Sequence, residues 1–195
     1  MKHRSVSSEP AYEDLVAQVK QLPQGKVGQV LDGRLFVSNS CSPAHVHVVG
    51  ELSATLIAGS PTGDPVPDGW TFLTEVELAL PGETLVVADI AGWRAPHDRI
   101  VALPTPIGLV PPWVCEVLDS STRLLDLTYK RKAYAAAGVR ILWIVDPDAK
   151  VLEVFENVKG RWTLLIAVGE DEIAAPPFED VRFDVPDLFM PASRR

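Results

Sequence analysis

The chain has 195 residues, 47% of them apolar and 23% charged, with a formal net charge of −8. These proportions exclude global disorder, and no run approaches the roughly 18 apolar residues that a membrane helix needs. The acidic balance excludes a tight, non-specific nucleic-acid binder but leaves room for an enzyme that engages nucleic acid locally. Two cysteines, Cys41 and Cys115, are too few for a disulfide framework or a structural zinc site. The basic start MKHRSVSSEP has no apolar run behind it, so it reads as no secretory signal, and the expected compartment is a reducing cytoplasm.

One domain is expected over residues 11–190, between disordered tails at 1–10 and 191–195. Ala11 to Lys20 reads as a short helix. Val27 to Leu31 and Leu35 to Ser38 form a hairpin around Asp32-Gly33, a pair that tolerates the positive φ of a tight turn. Ser42-Pro43 opens a second helix, with the hydroxyl as cap and Pro in the first position, running to Ile57. Gly59 to Gly69 is a turn-rich loop. Trp70 to Leu80 and Leu85 to Ile90 are strands, and the Pro-rich stretch VALPTPIGLVPP is a connector. Trp113 to Leu118 is an apolar run long enough for a strand buried on both faces. Ser121 to Ala137 is a helix stopped by Gly138, followed by a strand over Val139 to Val145. Strand, helix, strand places 113–118 and 139–145 parallel in one sheet. Val151 to Glu156 and Arg161 to Val168 make a closing hairpin. The whole is an α/β domain, a mixed sheet flanked by helices. Residues 121–140 carry five basic side chains and one acid, against 11 acids and six bases in 141–195. A local basic face therefore sits in an acidic chain, and a solvated helix face is its plainest explanation.

The informative residues are acids inside apolar strands. Glu116 stands in WVCEVL and Asp89 ends TLVVAD. A carboxylate in such a strand costs several kcal/mol unless paired or metal-bound. Glu116 shares its face with Val114 and Leu118, which cannot pair with it. Asp126, Lys130 and Tyr134, spaced i, i+4, i+8, lie on one face of the next helix, and Lys130 can reach back to Glu116. Two strand carboxylates with one lysine describe a site for a divalent cation with oxygen ligands, Mg²⁺ or Mn²⁺. The plainer alternatives are a buried Glu116–Lys130 salt bridge holding helix to strand, and an Asp89 that caps a turn at Gly92. Trp93, Trp113, Trp143 and Trp162 read as core and interface, and Cys115, alternating with Glu116, as a small buried residue.

The segment PPWVCEVLDSSTRLLDLTYKRKAYAAAGVRILWIVDPDAKVLEVF resembles the Uma-type restriction endonuclease family of bacteria, within the PD-(D/E)XK nuclease superfamily. Glu116, Ser121, Thr122, Asp126, Lys130, Tyr134, Gly138, Trp143, Asp146 and Pro147 match the family pattern in register. ADIAGWR is similar to its Pro-Asp-Leu-Ala-Gly-Trp-Arg, with Asp89 as the acid. QVLDGRLFVS and SPAHVHVVGEL follow its layout, with His45 at the usual histidine. The resemblance implies a restriction-endonuclease-like α/β fold and a metal-dependent DNA phosphodiester hydrolase. It implies Asp89 and Glu116 as metal ligands and Lys130 as the catalytic cation, moved to the helix from the superfamily's usual position, here Leu118. Gln29, His45, Asp126 and Tyr134 would support the site, and Arg94, Arg99 and Arg123 would contact phosphates. A homodimer acting on both DNA strands is expected.

The chain departs from the pattern at several positions. Gln29 replaces an acid, Asp119-Ser120 replace Ser-Pro, and Ala88 and Val76 replace prolines. Gln29 and Asp119 bear on the site, and with the net charge of −8 they motivate the alternative: a catalytically weakened nuclease-like domain acting in binding or assembly.

Overall fold

The computed structural model describes residues 10–39, 41–58 and 69–190. The expected tails, Pro10 apart, and nearly all of the loop at 59–69 lie outside them. An eight-stranded mixed sheet runs in the order β2-β1-β4-β5-β6-β7-β8, with β3 also paired to β4. These strands are β1 (Lys26–Leu31), β2 (Arg34–Asn39), β3 (Trp70–Leu80), β4 (Thr84–Arg94), β5 (Trp113–Val117), β6 (Ile141–Asp146), β7 (Val151–Val158) and β8 (Arg161–Val168). Among the described strands β5 and β6 form the one parallel pair, as the strand-helix-strand pattern requires. Both are buried along their whole length, which is why they read as apolar runs. The β1–β2 hairpin turns through Asp32 and Gly33 at φ 49° and 68°, the two positive angles of the tight turn.

Helix α1 (Tyr12–Val19) packs beside β1, and α2 (Pro43–Ala58) covers one sheet face. Ser42 caps α2 as expected: its hydroxyl accepts the His45 N–H at 3.3 Å. A short α3 (His97–Val101) precedes the Pro-rich connector. The segment expected as one helix over 121–137 contains a π-helical stretch, Leu125–Lys130, continued by α4 (Arg131–Ala137). Gly138, at φ 89°, ends α4 in the left-handed conformation. A separate hairpin, β9 (Glu172–Ala175) and β10 (Phe178–Asp184), closes over the α2 face. It has no counterpart among the expected elements, because its strands are short and flank the breakers Pro176-Pro177.

The core lies on both faces of the sheet. Beneath α2 and the β9–β10 hairpin, Trp113, Trp143 and Phe178 pack edge-to-face with ring centroids 5.1–5.7 Å apart. On the other face Trp93, Leu142, Ile144 and Tyr134 form a second cluster. Trp93, Trp113 and Trp143 are buried, as is Cys115.

Strand β4 runs four residues past Ile90, where the sequence suggests a stop. Gly92 is not a turn residue. A Cβ there would lie 3.0 Å from Phe72 Cε1 and 3.0 Å from Trp113 Cε3, so the glycine allows two rings to close on the backbone. Trp113 is locked by Trp143 and Phe178 and cannot yield. Gly92→Ala is therefore expected to cost about 1–3 kcal/mol by overpacking. Urea denaturation followed by tryptophan fluorescence measures this; an unchanged midpoint would show that the rings can move.

Candidate active site

The site forms where the sheet splits. Strands β4 and β5 pair only through Ile90↔Cys115, Ala91↔Val114 and Gly92↔Trp113. One step further, at Asp89 and Glu116, the ladder stops. Strand β1 meets β4 only at Val30↔Leu85. The backbone groups left open in this fork need partners, and site side chains supply them. Asp89 Oδ2 accepts the Val117 N–H at 2.7 Å, Gln29 Oε1 accepts the Val87 N–H at 3.0 Å, and Lys130 Nζ donates to the Val87 carbonyl at 2.8 Å.

Lys130 sits at the centre. It donates to Glu116 Oε2 at 2.8 Å and lies 3.1 Å from Asp126 Oδ1 in an ion-pair contact. Tyr134 donates its hydroxyl proton to Glu116 Oε1. Thr122 donates to Asp126 Oδ2 at 2.7 Å. Glu116 is fully buried, with both oxygens engaged. As the spacing predicts, Lys130 reaches back to the strand acid, and Asp126, Lys130 and Tyr134 lie on one face of their helical segment. Asp89 is not at a strand end capping a turn but lies within β4.

His45, at the start of α2, places Nε2 3.4 Å from Asp89 Oδ1. Its Nδ1 is buried without a hydrogen-bond partner among the described residues. Burial opposes the imidazolium, but the Asp89 carboxylate and the nearby Cys41 thiol outweigh it and carry the His45 pKa up to about 10. Burial also opposes ionisation of Asp89, yet His45, the Lys130 charge and the Val117 N–H together hold that carboxyl below its ordinary value. Glu116 goes the other way: burial, reinforced by Asp89 and Asp126, pushes it well up against the pull of Lys130. Asp126 is raised by burial as well. Burial opposes the charge on Lys130, but three carboxylates facing it keep it protonated. Three carboxyl groups thus share one ammonium, and they cannot all ionise without cost.

Above this cluster lies a cleft of about 460 Å³, walled by β1, β3, β4 and the start of α2. Gln29, His45, Asp89, Asp126 and Lys130 reach it; Glu116 and Tyr134 lie beneath. Two acids that the sequence reading does not single out, Glu75 and Glu77, also line the cleft. Glu75 stands opposite Asp89, between the pairs Thr74↔Ile90 and Val76↔Ala88, at φ 48°. In TEVEL these acids alternate with core residues, a pattern that any half-solvated strand shows.

The three arginines expected at phosphates do not join the cleft. Arg123 is held by Asp146 at 2.6 Å. Arg99 lies on α3. Arg94, at the far end of β4, lines a different pocket. Asp119 adds no free charge: it accepts the Ser42 N–H at 2.9 Å, the Ser121 N–H at 3.0 Å and the Ser121 hydroxyl at 2.8 Å. The Ser42 and Ser121 hydrogen bonds hold its carboxyl well below the usual range.

An α/β sheet that splits around a buried lysine-carboxylate cluster therefore defines the molecule. The model of the Uma2 family, described as "Putative restriction endonuclease", matches residues 14–186, and the chain belongs to that family. A crystal structure described as "a putative nuclease belonging to DUF820", from Anabaena variabilis ATCC 29413, shares the fold with a TM-score of 0.68. The identity is 16%, over 90% of this chain and 97% of that one. No curated protein matches significantly. The restriction-endonuclease-like fold expected from the resemblance is the fold observed. No helix among the described residues is long and apolar enough to cross a membrane.

Two outcomes are expected. Lys130→Met leaves Glu116 and Asp126 buried without their cation, at a cost on the order of 3–5 kcal/mol near neutral pH. Their folded-state pKa values then rise further above the unfolded ones, so the folded state binds more protons and the deficit narrows as pH falls toward about 5. Urea midpoints at pH 5 and 8 for the variant and wild type would show it. His45, by contrast, is raised above its unfolded value of about 6.5. Its contribution is full below that pH and is lost as pH rises through about 10. The stability gap between wild type and His45→Gln should therefore shrink over that window, and a constant gap would mean that the imidazolium contributes nothing.

Proposed function

We propose that this chain is a divalent-cation-dependent phosphodiesterase acting on DNA. One observation carries the reading: Glu116 and Asp126 pair with the single ammonium of Lys130, and a third acid, Asp89, lines the same open cleft. This donor set has a surplus of hard carboxylate oxygens, which suits Mg²⁺ or Mn²⁺. The fit is partial: among the described residues no three His, Cys, Asp or Glu are arranged to hold a metal ion. Asp89 opens to the cleft as an ionised ligand, whereas Glu116 becomes a ligand only when Lys130 releases Oε2. A cation held by these two acids would polarise a phosphate oxygen and lower the pKa of a bound water.

The remaining roles belong to the chain itself. Lys130, freed from Glu116, stabilises charge on the phosphate in the transition state. Asp126 and Tyr134 position it, with Thr122 fixing Asp126. His45 fixes the orientation of Asp89. Gln29 holds β4 in place through Val87 where the family has an acid, so one carboxylate fewer faces the cleft. A two-fold dimer would address both strands of a duplex, and the exposed Leu164 and Leu165 on the sheet-edge strand β8 offer a contact surface.

The complete engagement of Glu116 favours a second reading, a nuclease-like domain that binds without cleaving. Thermal melts with Mg²⁺ and Mn²⁺ separate the two. A cation at 100 times its Kd adds about 2.7 kcal/mol, a rise on the order of 5–10 °C for a chain of this size. Wild type should show that rise, Asp89→Asn and Glu116→Gln should lose it, and Lys130→Ala should abolish plasmid cleavage. A flat response at millimolar metal would favour the binding reading.

A further inference from the structure

Four of the five basic side chains in 121–140 have partners. Arg123 binds Asp146, Lys130 the buried acids, and Lys132 Asp32, while Arg131 lies 4.4 Å from the Phe155 ring centroid. Arg140 alone among them is exposed and has no ion pair among the described residues. It lines a pocket of about 270 Å³ at the opposite end of the sheet from the Lys130 cluster, together with Arg94, Trp70, Pro112, Pro177 and Glu179. Arg94 is likewise exposed and without an ion pair among the described residues. It lies five residues beyond Asp89 on β4, about 16 Å away along the strand.

The backbone brings these groups together. Trp70 is the direct cross-strand neighbour of Arg94. Arg140 precedes Ile141, which pairs with Trp113, and Trp113 pairs in turn with Gly92. Arg94 and Arg140 thus flank β5 from the neighbouring strands β4 and β6, about 10 Å apart across the sheet. Between them Pro111-Pro112 leads into β5 and brings no competing acid. Trp70 is half-buried and held by Phe72, stacked at 6.1 Å, and by Phe178, edge-on at 5.0 Å.

We propose that this pocket is a second, non-catalytic site that binds a nucleotide phosphate, with the base against Trp70. Two exposed arginines that line one pocket offer guanidinium donors for the oxygens of a phosphate monoester. A rigid, half-exposed indole is a platform for a planar base. Glu179 on the rim disfavours a bare anion and accepts hydrogen bonds from a sugar hydroxyl or an exocyclic amine, which selects nucleotide over inorganic phosphate. The same chemistry exists in a free nucleotide and in the 5′-phosphorylated end of a DNA strand.

Isothermal titration of the intact protein without divalent metal tests the site. The probes are inorganic phosphate, adenosine, adenosine 5′-monophosphate, and one short oligonucleotide with and without its 5′-phosphate. Wild type should bind the monophosphate more tightly than phosphate, and adenosine not measurably. Arg94→Ala and Arg140→Ala should each weaken binding by about tenfold, and Arg→Lys at either position should restore part of it. The unliganded variants should melt with wild type, since both side chains are exposed and unpaired. Preference for the phosphorylated oligonucleotide would identify a strand end as the ligand; preference for the mononucleotide would identify a free metabolite. No binding by wild type, or equal binding by the double alanine variant, would overturn the proposal. Because the assay contains no divalent metal and reads no cleavage, its failure leaves the nuclease reading untouched.

Discussion

The ammonium of Lys130 is the constraint on which the rest of the structure depends. It lies at the fork between β4 and β5, where the ladder stops, and is almost entirely buried beneath the cleft. A charge in such a place is tolerable only if its donors are satisfied. Lys130 donates to the Val87 carbonyl and to Glu116, with Asp126 in ion-pair contact. The first of these contacts also closes a gap in the sheet. Asp89 does the same for the Val117 N–H and Gln29 for the Val87 N–H. The candidate site is therefore not added to a finished scaffold; it is the stitching that lets the sheet divide. Site and stability are bound together, and any substitution that frees the ammonium also loosens the fork.

This double duty explains why the two suspicious departures have different consequences. Asp119 looks like an extra negative charge near Glu116. Its oxygens are instead taken up by Ser42 and Ser121, which tie the start of α2 to the turn before the π-helical segment. Its charge fastens loops. Gln29 keeps the structural half of its position, because an amide oxygen accepts a backbone N–H as a carboxylate does. It gives up the negative charge. The surplus of carboxylate around Lys130 consequently rests on Asp89, Glu116 and Asp126 alone.

The sequence carried much of this because burial punishes unpaired acids. Glu116 inside WVCEVL announces a hidden cation, and the i, i+4, i+8 spacing of Asp126, Lys130 and Tyr134 shows where it comes from. The π-helical turn that carries Lys130 was not legible, since LDLTYK has ordinary helix composition. Nor was the true role of Gly92, which in sequence resembles a turn and in space is the floor for two rings. Glu75 and Glu77 escaped notice because an exposed acid on an alternating strand looks like any solvated residue. Only the register opposite Asp89 brings them to the cleft. The β9–β10 hairpin escaped because its closure depends on distant partners, Trp113 and Trp143 among them, rather than on local pattern.

Charge placement bears on the apparent conflict between an acidic protein and the anionic substrate proposed for it. A net charge of −8 gives no long-range attraction for DNA, and the basic stretch at 121–140 does not restore one, because its cations are mostly engaged with acids or a ring of the same fold. The cleft itself is walled by Glu75, Glu77, Asp89 and Asp126. On the cationic side the cleft has Lys26, His45 and Lys130, of which His45 and Lys130 are already paired with acids, so a divalent ion would help an anionic phosphodiester to enter. The acidity that argues against a passive DNA binder would thus make the proposed site dependent on a divalent ion, whereas Arg94 and Arg140, exposed at the other end of the sheet, lie clear of those acids.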